Sequence, residues 1–285
     1  PGQEHAVFGL RVAWPRADHG GGRPSGLRIC LIAGRSDSMG SLLAVWKFLR
    51  GLWHVLMGMW TIYVRFPQLS PEQREMRVQA WALQFLALWG VHLRVLGQPV
   101  LNGPTLMVAN HISWLDILVI HAARHCRFVS KSDIRDWPLV GTLATGAGTL
   151  YIERENRKDA MRMVKEMARA LKDGDVLAVF PEGTTGDGIG MLPFHANLIQ
   201  SAIDADAPVQ PLALQFVDAQ TNAISMAAKF VGEDTLVGSI WRTLNAQGLK
   251  AVVQFGEIQS ANGRSRREWA ADLSKDVAAI KLSCL

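Results

Sequence analysis

His111 and Asp116 stand five residues apart in the run Asn110-His111-Ile112-Ser113-Trp114-Leu115-Asp116. As residue types they could serve as a general base and the carboxylate that orients it. The spacing restricts how they can meet. In one helix, residues five apart point about 140° away from each other; in one strand they face opposite sides. They meet only across a turn, with His111 in a loop and Asp116 in the first turns of a helix. Asp116 could then accept from His111 Nδ1, leaving Nε2 to take a proton from an alcohol. A carboxylate is also favoured near a helix N-terminus by the dipole. The apolar run TLMVAN, residues 105–110, reads as a buried strand directly before His111. That puts the pair at a strand end, where α/β sheets gather their sites. A His and an Asp at this spacing also occur by chance, so their surroundings matter.

Three other segments bear on them. Phe180-Pro181-Glu182-Gly183-Thr184-Thr185 follows an apolar strand, and its glycine and hydroxyl residues make a loop of exposed backbone N–H groups suited to an anion. Gly148-Thr149-Leu150-Tyr151-Ile152-Glu153-Arg154 puts Arg154 just after another strand, and Lys131-Ser132 closes a third. Both cations would lie at one sheet edge and could meet a phosphate or another anionic head group.

The elements that position these residues alternate. Strands are expected at 105–110, 127–131, 149–155, 175–183, 209–217 and 251–257, and helices at 114–123, 156–171, 194–203 and 265–282. The pattern predicts an α/β domain over 99–285, a mixed sheet flanked by helices. Before it lie two apolar stretches, 42–66 and 78–96, separated by Pro67 and Pro71. The uncharged core of the first, Gly51–Val64, has fourteen residues, fewer than the roughly 20 of a spanning helix. Residues 39–98 are therefore expected to form two membrane-associating helices lying in or dipping into the interface; a single span over 42–64 is the alternative. Residues 1–38, with Gly20-Gly21-Gly22 and no apolar period, read as a disordered or non-native leader without assigned function.

Composition agrees with a lipid-facing protein. Of 285 residues, 49% are hydrophobic and only 19% charged, against roughly 25% charged in soluble proteins. There are ten Trp and two Tyr; the Trp could belong to an interfacial belt or fill a core. The net charge of +5 suits anionic lipid or phosphorylated small molecules. Nothing in the chain has a nucleic-acid-binding signature, and nucleic acid is not an expected partner. Cys30, Cys126 and Cys284 are far apart, as ordinary thiols are.

Taken together, these blocks resemble the lysophosphatidic acid acyltransferase family of glycerolipid acyltransferases over about residues 99–215. Asn110-His111…Asp116 is similar to its catalytic block, Lys131-Ser132 with Gly148…Ile152-Glu153-Arg154 to its acceptor-binding block, Phe180–Thr184 to its third, and Val209-Gln210-Pro211-Leu212 to its proline-containing strand. The resemblance implies an O-acyltransferase at the inner face of the cytoplasmic membrane. In it, His111 would deprotonate the hydroxyl of a lysolipid, by default 1-acyl-sn-glycerol-3-phosphate, for attack on an acyl-CoA or acyl-carrier-protein thioester. Asp116 would orient His111, and no acyl-enzyme, metal or cofactor is implied. Asn110, Ser113, Lys131, Arg154, Glu182, Gly183, Thr184 and Thr185 would contact substrate. The family commonly carries Arg where this chain has Thr185, and Thr supplies no bidentate phosphate contact. A lyso-ornithine lipid or another lysophospholipid is the alternative acceptor. Two rivals remain from other classes: a metal hydrolase using His111, Asp116 and Glu182 as ligands, and a non-catalytic lipid-binding protein. His92, His121 and His125 read as structural or surface residues, and His195 as structural or a further polar contact.

Overall fold

The computed structural model describes residues 36–152 and 157–283. Residues 1–35 of the expected leader, with Arg154 and Cys284, lie outside the described residues, while its last three residues open α1. Helix α1 (Ser36–Val64) is followed by a 3-10 turn at Phe66–Gln68 and by α2 (Pro71–Trp89). Pro71 opens α2 instead of merely interrupting the chain. Ser70 and Gln73 exchange side-chain and backbone hydrogen bonds in a capping box, with Pro71 at the first helical position.

The second apolar stretch is not one helix. Gly90 ends α2 in the left-handed conformation, with φ +75°, and β1 (Val91–Leu96) follows. Its β-branched Val91 and Val95 suit a strand, and β1 pairs in parallel with β7 (Leu249–Phe255). The sheet therefore begins inside the segment expected to be membrane-associating.

Five more strands complete it: β2 (Thr105–Ala109), β3 (Arg127–Lys131), β4 (Leu150–Ile152), β5 (Val176–Val179) and β6 (Val209–Asp218). Their order is β1-β7-β6-β2-β5-β3-β4. Only β6 and β7 pair antiparallel, so the sheet is mixed. The helices α3 (Leu115–Ala123), α4 (Val140–Gly146), α5 (Arg157–Lys172), α6 (Ala196–Ala205), α7 (Leu236–Asn245) and α8 (Arg266–Ser283) pack around it. β2 and β5 are buried at every position, as strands covered on both faces must be. Successive residues serve opposite layers. Met107 and Ala109 join a core with α2 and α3, while Leu106 and Val108 join one with α5, α6 and α8. Since β6, β2, β5, β3 and β4 all run the same way, their carboxyl ends share one edge. The loops that leave that edge carry His111, Lys131 and Glu182.

Among the described residues only α1, over Gly40–Val64, is long and apolar enough to cross a membrane; α2 carries Glu72, Arg74, Glu75 and Arg77 in its first half. Two heptad-spaced rows on α1 divide its faces. Ala44, Gly51 and Gly58 are buried, whereas Trp46, Trp53 and Trp60 are 56, 63 and 49% exposed. The small row admits α2. A Cβ on Gly51 would stand 2.2 Å from Trp89 Nε1, and one on Gly58 would stand 2.6 Å from Trp81 Nε1. His54, a polar residue within an apolar run, is accounted for here: its Nε2 and carbonyl bond reciprocally to the Trp81 carbonyl and Nε1 at 3.0 and 3.1 Å.

A Gly51→Ala substitution should therefore push α1 off α2. Overpacking of this kind costs about 1–3 kcal/mol, and limited proteolysis should show faster cleavage around α1. A variant cleaved no faster than wild type would contradict the close-packed helix pair.

Candidate active site

The turn demanded by the five-residue spacing is present. His111 follows β2 in a loop, and Asp116 lies in the first turn of α3. His111 Nδ1 and Asp116 Oδ2 are 2.8 Å apart. The same oxygen accepts the backbone N–H groups of Ile112 at 2.6 Å and Ser113 at 2.9 Å. A carboxylate so placed can only accept, so the proton between it and His111 belongs to Nδ1. Asp116 is fully buried and Oδ1 is sealed without a partner, while the His111 side chain keeps 18% of its exposure. Phe180 stacks on the imidazole, 3.9 Å between centroids and 7° between planes. Oδ2 and Phe180 thus fix the ring in direction and plane, with Nε2 as the nitrogen left for exchange.

Several residues expected to touch substrate are engaged by the protein itself. Asn110 is buried, and its side chain exchanges two hydrogen bonds with the Leu214 backbone, 3.0 and 2.8 Å. It continues the β2–β6 ladder where the strand itself stops. Ser113 is completely buried, and its Oγ accepts from Leu115 N at 3.2 Å, at the start of α3. Glu182 is buried with both oxygens engaged: Oε1 accepts from His111 N at 2.8 Å and Oε2 from Leu192 N at 3.0 Å. Burial raises the Glu182 pKa, opposed by those two backbone bonds and by the charges of His111 and Lys281. Gly183 has φ +74°, which a glycine accommodates, but its N–H is spent on the Phe180 carbonyl at 3.1 Å. The anion-binding loop expected from its sequence is therefore partly closed on itself.

Thr185 Oγ1 donates to the Phe230 carbonyl. Phe230 N donates back to Ile112 O at 3.2 Å, and Gly186 N to His111 O at 2.7 Å. The segment around Phe230 escaped notice in the sequence because it carries no motif, yet it ties two of the site's loops together. Lys281 was also unassigned. It is buried on α8, and its Nζ donates to the carbonyls of Ile189 and Gly190 at 3.0 and 2.9 Å, pinning the loop that receives Glu182. Thr184 is exposed at the same loop. Lys131 is exposed at the end of β3 and paired with Asp133 at 2.6 Å.

His121 and His125 are buried beside each other, ring centroids 5.3 Å apart. Burial first, then the neighbouring His125, drives the His121 pKa down to about 3; burial brings His125 to about 4. Both are neutral core residues near neutral pH. His92 is exposed on β1, and the His195 ring would lie only 3.0 Å from a Cβ on Gly183, inside ordinary van der Waals contact. Among the described residues no three His, Cys, Asp or Glu side chains gather as a metal-holding group.

A seven-stranded mixed sheet with a His–Asp pair at the carboxyl edge defines the class, and comparison with known proteins agrees. The acyltransferase family model matches residues 92–215. A lyso-ornithine lipid O-acyltransferase of Pseudomonas aeruginosa is 34% identical over 204 residues, covering 72% of this chain and 78% of that protein. A 1-acyl-sn-glycerol-3-phosphate acyltransferase of Neisseria gonorrhoeae is 35% identical over 187 residues, 65% of this chain and 72% of that protein. The fold is that of the 1-acyl-sn-glycerophosphate acyltransferase PlsC from Thermotoga maritima, with TM-score 0.61 at 17% identity over 86% of this chain and 97% of that one. The chain belongs to the acyltransferase family, and it is an O-acyltransferase.

Asp116→Asn keeps the shape of the side chain, but the amide must turn either its NH2 or its weaker carbonyl acceptor toward three N–H donors. Acyl transfer should fall about a hundredfold or more. Steady-state rates on folded variant check this, and a loss below about threefold would contradict the orienting role.

Proposed function

We propose that the chain esterifies the free hydroxyl of a lysolipid with a fatty acyl group from acyl-CoA or acyl-carrier protein. The observation that carries this reading is the His111 ring, fixed by Asp116 and Phe180 with Nε2 left free of both. His111 Nε2 takes the hydroxyl proton as the oxygen attacks the thioester carbonyl carbon. The tetrahedral intermediate expels the thiolate, which His111 reprotonates, and Asp116 stabilises the imidazolium in between. Ser113 is no nucleophile, being buried with Oγ turned to the start of α3, which supports direct transfer.

A mainly apolar cavity of about 670 Å³ opens between α1, α2, α4 and α7, within the range of small-molecule sites. Phe128 and Trp114 are part of its wall. Phe128 stacks on Phe180, which stacks on His111, so aromatic rings connect the cavity wall to the imidazole. It suits an acyl chain, with Trp81, Phe85, Leu118 and Leu143 along its length.

Membrane association follows from how α1 is held. It touches the domain from Lys47 to Ile62: Lys47 Nζ lies 3.5 Å from Leu244 O, Gly51 and Gly58 face Trp89 and Trp81, and Ile62 faces Gly146. A helix crossing the bilayer would carry that whole surface with it. Lying along the interface instead, α1 turns Trp46, Trp53 and Trp60 toward lipid at one depth. Since acyl-CoA and acyl-carrier protein are cytoplasmic, the enzyme works at the inner face of the cytoplasmic membrane.

For the acceptor, 1-acyl-sn-glycerol-3-phosphate is the default of the family. Thr185 favours the alternative: its hydroxyl is engaged by Phe230 and it supplies no charge for a phosphate monoester. The names of the relatives include both acceptor types, among them lyso-ornithine lipid. Purified enzyme offered 1-acyl-sn-glycerol-3-phosphate and lyso-ornithine lipid side by side, with one acyl donor, should prefer the second. Preference for the phosphate would overturn the Thr185 inference. Transfer to neither would overturn the lysolipid reading itself.

A further inference from the structure

We propose that α7 is a second bilayer contact, standing beside α1 and holding the mouth of the apolar cavity against an anionic lipid surface. This rests on the membrane-associated acyltransferase reading above and adds to it a contact surface that lies in the second half of the chain.

The sequence LVGSIWRTLN gives α7 two unlike sides. Ser239, Thr243 and Leu244 are buried against the domain: Ser239 Oγ lies 3.2 Å from Trp114 Nε1, and Thr243 Oγ1 donates to the Ala227 carbonyl at 3.2 Å. Val237 and Trp241, one turn apart on the other side, are 77 and 44% exposed. Nothing in the fold requires two large apolar groups to stand in water there. An ordinary surface helix turns its large apolar residues inward, whereas α7 leaves Val237 and Trp241 outside.

What covers this side is indicated by its neighbours. α7 packs on α1, where Lys47 reaches the Leu244 carbonyl, so its apolar side continues the surface bearing the tryptophan row. Leu236 and Ile240 form part of the cavity wall together with Gly51, His54 and Val55 of α1. The cavity therefore has α7 on its rim. Trp137 and Leu139 ahead of α4, and Val140 at its start, also line the cavity and are exposed, so three elements around one opening present apolar side chains outward. Cations accompany them. Arg50 lies 5.7 Å above the Trp46 ring, and Arg242, 42% exposed beside Trp241, is held by Asp234 at 2.9 Å. Apolar side chains with cations beside them match an anionic bilayer, where rings sink to the head-group level and cations meet phosphates. A protein partner would need a complementary apolar surface but no lipid; a bilayer also supplies the hydrocarbon that the cavity is shaped to take.

The test is a Val237→Glu/Trp241→Glu double variant, at positions outside the catalytic pair and the cavity wall. Flotation with phosphatidylglycerol–phosphatidylethanolamine vesicles should show binding weakened about tenfold. Transfer to a vesicle-borne lysolipid should fall in step, while transfer to a short-chain, monomeric lysolipid stays at the wild-type rate. A fluorophore on Val237→Cys, with Cys30→Ser and Cys284→Ser, should be quenched by brominated lipid when vesicles are added. Unchanged binding together with an unquenched probe would overturn the proposal. So would equal loss on soluble and vesicle-borne acceptors. Wild-type turnover of the monomeric acceptor reports the chemistry separately: its absence would count against the acyltransferase site, whatever α7 does.

Discussion

One carboxylate oxygen organises the site. Asp116 Oδ2 receives His111 Nδ1 and the amides of Ile112 and Ser113, so a single acceptor closes the turn after β2 and sets the imidazole at the same time. The fold of the loop and the state of the base are one interaction. Three donors on one oxygen leave the carboxylate little freedom to rotate, and a group that cannot rotate holds its partner's tautomer.

The sheet makes that arrangement possible. Parallel β2, β5 and β3 deliver their carboxyl ends to one edge, and buried polar contacts then lock the loops that leave it. Asn110 fastens β2 to β6 just beyond the last paired residue, Glu182 fastens the loop after β5 to His111, and Lys281 fastens that loop to α8. Each leaves a buried polar group stranded if it is lost, at a cost of about 1–3 kcal/mol. The polar residues next to His111 are thus chiefly a frame for its loop.

The sequence made part of this legible. The His111–Asp116 geometry follows from spacing alone, since neither a helix nor a strand brings residues five apart together. The boundaries of β3 and α3 follow from their periodicity. Other features could not be read this way. β1 hid behind Gly90, where an apolar run passes from helix to strand without changing its hydrophobicity. α7 was missed because both of its sides mix polar and apolar residues: Ser239 and Thr243 are buried beside Leu244, while Val237 and Trp241 are exposed beside Arg242. The roles of Asn110, Ser113 and Glu182 depend on backbone groups about 70–100 residues away in two of the three cases, and local spacing does not reveal such partners. A side chain beside a catalytic base looks like a ligand for substrate until its hydrogen bonds are known.

On α1 the same economy recurs at the scale of a helix. Small residues every seven positions let it sink onto α2, and tryptophans every seven positions mark the side left over. His111, held by Asp116, is proposed as the base of this acyltransferase. That claim stands or falls with His111. Steady-state acyl transfer by folded His111→Gln, saturated with acyl donor and lysolipid, should drop at least about a thousandfold while vesicle binding stays unchanged. Turnover within a few fold of wild type would contradict it.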